Sequence, residues 1–221
     1  MLRASDFRIG SIQATIFTPN TEAFSPSSVL AALLNRYASR YDGPITAAPL
    51  PADVPSDVPR IFLQSADTTW RLTAGPTRID SIWVPPSGLA DPDQLGPLTQ
   101  GCAEVLEHYV SSTGVRVGRL ALVVIRGCER PNPAQALVMH FCNDNSQRGA
   151  FRHSENFEVH NHKKYQPVGV DQSVNSWVRC RTGLVGGNPG IAVENDINTP
   201  ADELHQRTLE VDQIKAFFLG I

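Results

Sequence analysis

The residues best suited to chemistry in this chain are three histidines, His153, His160 and His162, which fall close together. Imidazoles two apart on a strand point the same way, so His160-Asn161-His162 offers a pair able to chelate zinc or iron. A site needs a further ligand, from His153 or from His140, Cys142 or Glu158 nearby. Against this, Lys163 and Lys164 follow at once and repel a cation, and the stretch reads as an exposed polar turn. Nucleophilic chemistry has less to stand on. Neither a Gly-x-Ser-x-Gly elbow nor Ser-x-x-Lys occurs. Cys142 with His140 is a conceivable thiolate pair, but the two close an apolar run, Ala136–Phe141, read as a strand, so a small buried thiol accounts better for Cys142. Gly183-Leu184-Val185-Gly186-Gly187 lacks the lysine and following helix of a phosphate loop and reads as a glycine-rich turn.

A second constellation lies around that turn. Val174, Ser176, Val178 and Cys180 alternate with Asn175, Trp177, Arg179 and Arg181, and Ile191, Val193 and Ile197 continue on the far arm. A turn centred on residues 187 and 188 sets Arg181 opposite Glu194 and Arg179 opposite Asp196. Opposed residues share a face, so Trp177, Arg179, Arg181, Glu194 and Asp196 form one charged surface. Each carboxylate has an arginine, which favours ionised, unreactive groups. The pattern fits solvated cross-strand pairing, or a surface that contacts a polar ligand or another protein.

The elements that hold these residues are well marked. Ile12, Ala14 and Ile16 alternate with polar neighbours, which predicts a strand over Arg8–Phe17. Ser25-Pro26 opens a helix to Tyr41, ended by Asp42-Gly43-Pro44. The proline-rich residues 47–59 read as a surface loop, followed by strands at 61–65, 69–74 and 77–84. Asp91-Pro92 starts a helix to Ser112, with Leu95, Leu98, Cys102, Val105, Leu106 and Tyr109 on one stripe. Leu120–Ile125 is apolar on both faces, so Arg119–Arg126 is a central strand. Residues 143–165 fit a long loop or a helix–loop insertion equally well. A last helix is predicted over Ala201–Leu219, capped by Thr199-Pro200 with Asp202 and Glu203.

The composition is that of an ordinary globular protein. A net charge of −3 supplies no general basic field, which argues against nucleic acid and anionic membranes as partners. No apolar run is long enough to span a bilayer, and the first residues lack the apolar core of a signal peptide. Cys102, Cys128, Cys142 and Cys180 form no CxxC pair and are expected as free thiols, consistent with a cytoplasmic location.

Several of these features recur together: an early strand before a helix, Ile61-Phe62-Leu63-Gln64-Ser65 through Trp70-Arg71-Leu72 to Arg78, and a helix ending in Tyr109. With Arg119-Leu120-Ala121-Leu122 and a final Phe217-Phe218-Leu219, the pattern resembles a sporadically distributed family of uncharacterised bacterial proteins. The resemblance covers most of the chain, implies an α+β architecture, and brings no catalytic residues with it.

The expectation is therefore a single α+β domain over residues 1–221. It has a curved, mostly antiparallel sheet from two pseudo-repeated β-rich halves (about 1–113 and 114–221) and three helices chiefly on one face. Functionally, the residues favour a non-enzymatic binding or regulatory protein that contacts another protein or a small ligand and needs no cofactor. The alternative is a metal-dependent, hydrolase-like enzyme built on His153, His160 and His162.

Overall fold

Alternating apolar residues give this chain one broad open sheet. In the computed structural model, residues 2–19, 24–48, 51, 53–142, 149–167 and 170–220 are described. The strands are β1 (Arg8–Phe17), β2 (Ile45–Ala47), β3 (Ile61–Gln64), β4 (Trp70–Ala74), β5 (Arg78–Trp83), β6 (Arg119–Glu129), β7 (Glu158–Tyr165), β8 (Val174–Val185) and β9 (Asn188–Asn198). They form a nine-stranded sheet in the order β2-β3-β4-β5-β1-β6-β9-β8-β7. Every neighbouring pair is antiparallel. The chain thus puts its first strand in the centre, between β5 and β6.

The helices are α1 (Pro26–Tyr37), α2 (Leu95–Thr113), α3 (Pro133–Phe141) and α4 (Val211–Leu219). Ser25 caps α1 by accepting from the Ser28 N–H, and Gly114, at φ 65°, ends α2 in the left-handed region that a side chain disfavours. All four pack on one side of the sheet. There Ile12, Ala14 and Ile16 of β1 and Leu120, Leu122 and Val124 of β6 meet Leu33, Cys102, Leu106, Ile214 and Phe217 in the main core. A smaller cluster joins Leu137 of α3 to Phe7, Cys128 and Ile191.

Four expectations are corrected. Residues 136–141 are not a strand but the main part of α3, so the described residues hold four α-helices rather than the expected three. Ala134, Leu137 and Val138 are the buried positions, a helical spacing, and Pro133 starts the helix; a short apolar run fits either period until its partners decide. The last helix does not begin at Ala201. A short 3-10 turn (Ala201–Glu203) is followed by non-helical residues up to Glu210. Arg116 holds that segment open by donating to the carbonyls of His205 and Arg207, and Leu209 N donates to Val117 O. Residues 158–165 are neither loop nor helix but the edge strand β7; the neighbouring residues 143–148 lie outside the described residues. The fourth correction concerns the register of the β8–β9 hairpin. Its turn residues are Gly186 and Gly187, with φ of 60° and 87°. Two successive left-handed residues make the two-residue turn that matches strand twist, and glycine is the residue that adopts it freely.

Candidate functional site

The turn at Gly186-Gly187 decides which side chains meet. Arg179 is opposite Glu194, Trp177 is opposite Asp196, and Arg181 is opposite Ala192. The expected pairs shift by two positions in all, an even number, so Trp177, Arg179, Arg181, Glu194 and Asp196 still share one face. That face is the one away from the helices, while Val178, Cys180, Val193 and Ile197 point toward them.

β7 adds a third strand to the surface. His162, Trp177 and Asp196 lie in one cross-strand row, and His160, Arg179 and Glu194 in the next. The His162 ring lies flat on Trp177, with centroids 3.9 Å apart and planes within 6°. Arg179 pairs with Glu194 and sits 5.8 Å from the centre of the Trp177 ring. His160 Nε2 is 2.7 Å from Glu158 Oε1. Asp196 accepts from Asn198 Nδ2 at 2.9 Å. These side chains are half-buried or exposed, and each charged group has solvent or a neighbour to satisfy it.

Toward the sheet centre the same face holds a carboxylate that the sequence did not advertise. Asp80 is 5% exposed. It accepts from Thr15 Oγ1 at 2.6 Å, Gln13 Nε2 at 2.9 Å and Thr73 Oγ1 at 3.1 Å, and from Arg78 Nε at 3.0 Å. With four donors around it, this carboxylate is a structural acceptor that fixes the polar rows of β1, β4 and β5. Arg78 and Arg119 then flank the Phe17 ring at 5.5 and 4.6 Å. Burial lowers the Arg119 pKa, and the Asp196 charge opposes that effect.

The histidine set is only partly gathered. His160 and His162 share the outer face of β7, but one is paired with Glu158 and the other is stacked on Trp177. His153 occupies the turn before β7 in left-handed backbone, at φ 60°. Among the described residues, no three His, Cys, Asp or Glu side chains group as a metal site. His140 and Cys142 sit at the end of α3, where positions i and i+2 do not face each other. The His140 ring packs edge-on against Phe141 instead. All four cysteines are free, and Cys142, expected as a small buried thiol, is instead exposed at the end of α3. Burial pushes the Cys102 thiol up to about 12 and also raises Cys128 and Cys180, which leaves them unreactive.

On the helix side, β6, β9, α2 and α4 line a half-open cavity of about 220 Å³, with Arg126 and Asn195 in its lining. Its signal was present in the sequence: the apolar series Leu120, Leu122, Val124 continues in step to Arg126, a charge at a covered position. No family model matches the chain, and no curated protein matches it either, so the candidate sites are read from their own geometry.

Proposed function

We propose that this is a non-enzymatic binding or regulatory protein whose uncovered sheet face docks another protein or a small polar ligand. One observation carries the reading. Among the described residues, the helices bury one face of the sheet and none covers the other, which is lined by an ordered set of charged and aromatic side chains centred on Trp177, Arg179, Arg181, Glu194 and Asp196. Trp177 offers a broad amphipathic surface, and Lys164 of β7 and Arg181 of β8 project exposed charge on the same face beside it; tryptophan and arginine are the residues that most often anchor interfaces. The reading includes the two-half organisation. Each half runs strand, helix, strands, helix, and the halves join where β1 pairs with β6.

Replacing Arg179 and Arg181 together by alanine tests it. Exposed and half-exposed ion pairs contribute little, so stability in urea stays within about 1 kcal/mol of the parent. Binding of whatever the parent protein retains in an affinity capture is lost. Equal retention by parent and variant removes the surface from the proposal, and a variant that fails to fold shows that the face is part of the core. The hydrolase alternative has His160 and His162 on one face and nothing further in its favour. Stoichiometric zinc, iron or manganese in the purified protein restores it.

A further inference from the structure

Arg126 points to the covered side of β6, where Leu120, Leu122 and Val124 precede it at the same alternation. Its Nε is buried and has no hydrogen-bond partner, and no carboxylate among the described residues lies within ion-pair distance of its guanidinium. Arg126 is half-buried overall, and a buried N–H left without an acceptor is costly, so its Nε calls for an acceptor on the covered side. The cavity beside it has room for one. Leu122, Val124, Ile197 and Phe218 make apolar walls, and Leu95 and Thr99 close the side formed by the first turns of α2. Asn195 of β9, opposite Val124 and on the same face as Arg126, makes no side-chain hydrogen bond among the described residues. The N-terminal end of a helix of nineteen residues adds the positive end of its dipole to the same space.

We propose that this cavity binds a small monocarboxylate with an apolar body. The carboxylate accepts from Arg126 and Asn195, as arginine presents a planar fork matched to that group. The body, aromatic or branched, lies against Leu122, Val124, Ile197 and Phe218. Size limits the class. An apolar cavity of about 150 Å³ holds benzene, so 220 Å³ admits roughly nine non-hydrogen atoms by the same scaling, the size of benzoate. The site is on the opposite side of the sheet from the docking surface and stands independently of it.

Benzoate and its uncharged counterpart benzyl alcohol, titrated into isotope-labelled full-length protein, test the assignment. Benzoate shifts the amide signals of Gly96, Thr99, Asn195 and Leu219 saturably and binds at least tenfold more tightly than benzyl alcohol. Arg126→Met keeps an apolar stem on the covered face and abolishes that preference. The proposal is overturned if the parent protein binds benzoate no better than benzyl alcohol, if the shifts map away from the cavity, or if Arg126→Met retains the preference. Should Arg126→Met fail to fold, the two ligands on the parent protein decide the matter alone.

Discussion

Leu122 is 4% exposed in the middle of β6, with Ala14 of β1 and Ile197 of β9 beside it in register. Its truncation to alanine removes buried methyl groups next to a cavity already present and adds to that space. The expected loss is about 2 to 5 kcal/mol in urea unfolding; a loss under about half a kcal/mol would place β6 outside the core. Thiol chemistry is equally local. Cys102 is wholly buried on α2, and burial holds its pKa near 12, so the thiol stays protonated at every pH at which the protein is handled. Cys142 is exposed at the end of α3. Iodoacetamide at mildly alkaline pH, followed by peptide mass spectrometry, should therefore modify Cys142 and leave Cys102 untouched until the protein unfolds. At this scale much was legible. Alternation alone assigned Trp177, Arg179, Arg181, Glu194 and Asp196 to one face, because sidedness survives any even shift in register. The individual pairings depend on which residues turn the chain, and the run Val185-Gly186-Gly187-Asn188-Pro189-Gly190 offers several candidates. Asp80 was illegible for another reason. Its donors come from β1, β4 and β5, and nothing in the local sequence marks them as neighbours.

Elements were read well where period and boundary agreed, and poorly where one was missing. α2 has a long apolar stripe, a proline near its start and Gly114 at its end, and all three signals survive in the fold. α3 has only nine residues, too few for a helical period to be told from a buried strand. β7 was invisible because its residues are mostly exposed on both faces, so it carries no apolar alternation; its pairing with β8 alone makes it a strand. Lys163 and Lys164 on this outermost strand are the kind of charge that discourages further strands from adding to a free edge. The contact of α2 with α4 has its own electrostatic signature. Burial raises the Glu107 pKa above the usual carboxylate range, Lys215 opposes that, and Glu104 and Asp212 add to it. A carboxyl whose folded pKa lies above its unfolded value stabilises the fold while protonated, and that contribution is lost as pH rises through the folded value. Glu107→Gln keeps the neutral form at every pH. Its melting temperature should exceed the parent's at neutral pH and converge with it at about pH 3, where both side chains are uncharged. A variant that melts lower than the parent at neutral pH would mean that the Lys215 attraction outweighs burial.

At the scale of the whole molecule, connectivity decides how the two halves of the chain depend on each other. β1, from the first residues of the chain, lies between β5 and β6, so it serves as the inner strand of the first half and as the partner of the second. β9 completes the other side of β6, and α4 returns from the far end of the sequence to pack on α2. A break in the backbone between α3 and β7 leaves β6 on one piece and β9 on the other, still joined by a long antiparallel ladder from Ala121–Asn198 to Glu129–Gly190. A break in residues 47–59 separates β1 and α1 from the strands they pack against. At either place the piece that lacks α2 (β7–β9 and α4 after the first break, β1, β2 and α1 after the second) loses the helix that covers the core, and a chain that cannot cover its apolar face does not fold alone. Limited proteolysis at either place should thus give nicked protein that elutes at the parent's size in gel filtration and comes apart only in denaturant. A fragment that elutes separately and shows the dispersed amide spectrum of a folded domain would overturn the expectation of a single domain. The central β1–β6 ladder would then be a contact between two domains and no longer the axis of one.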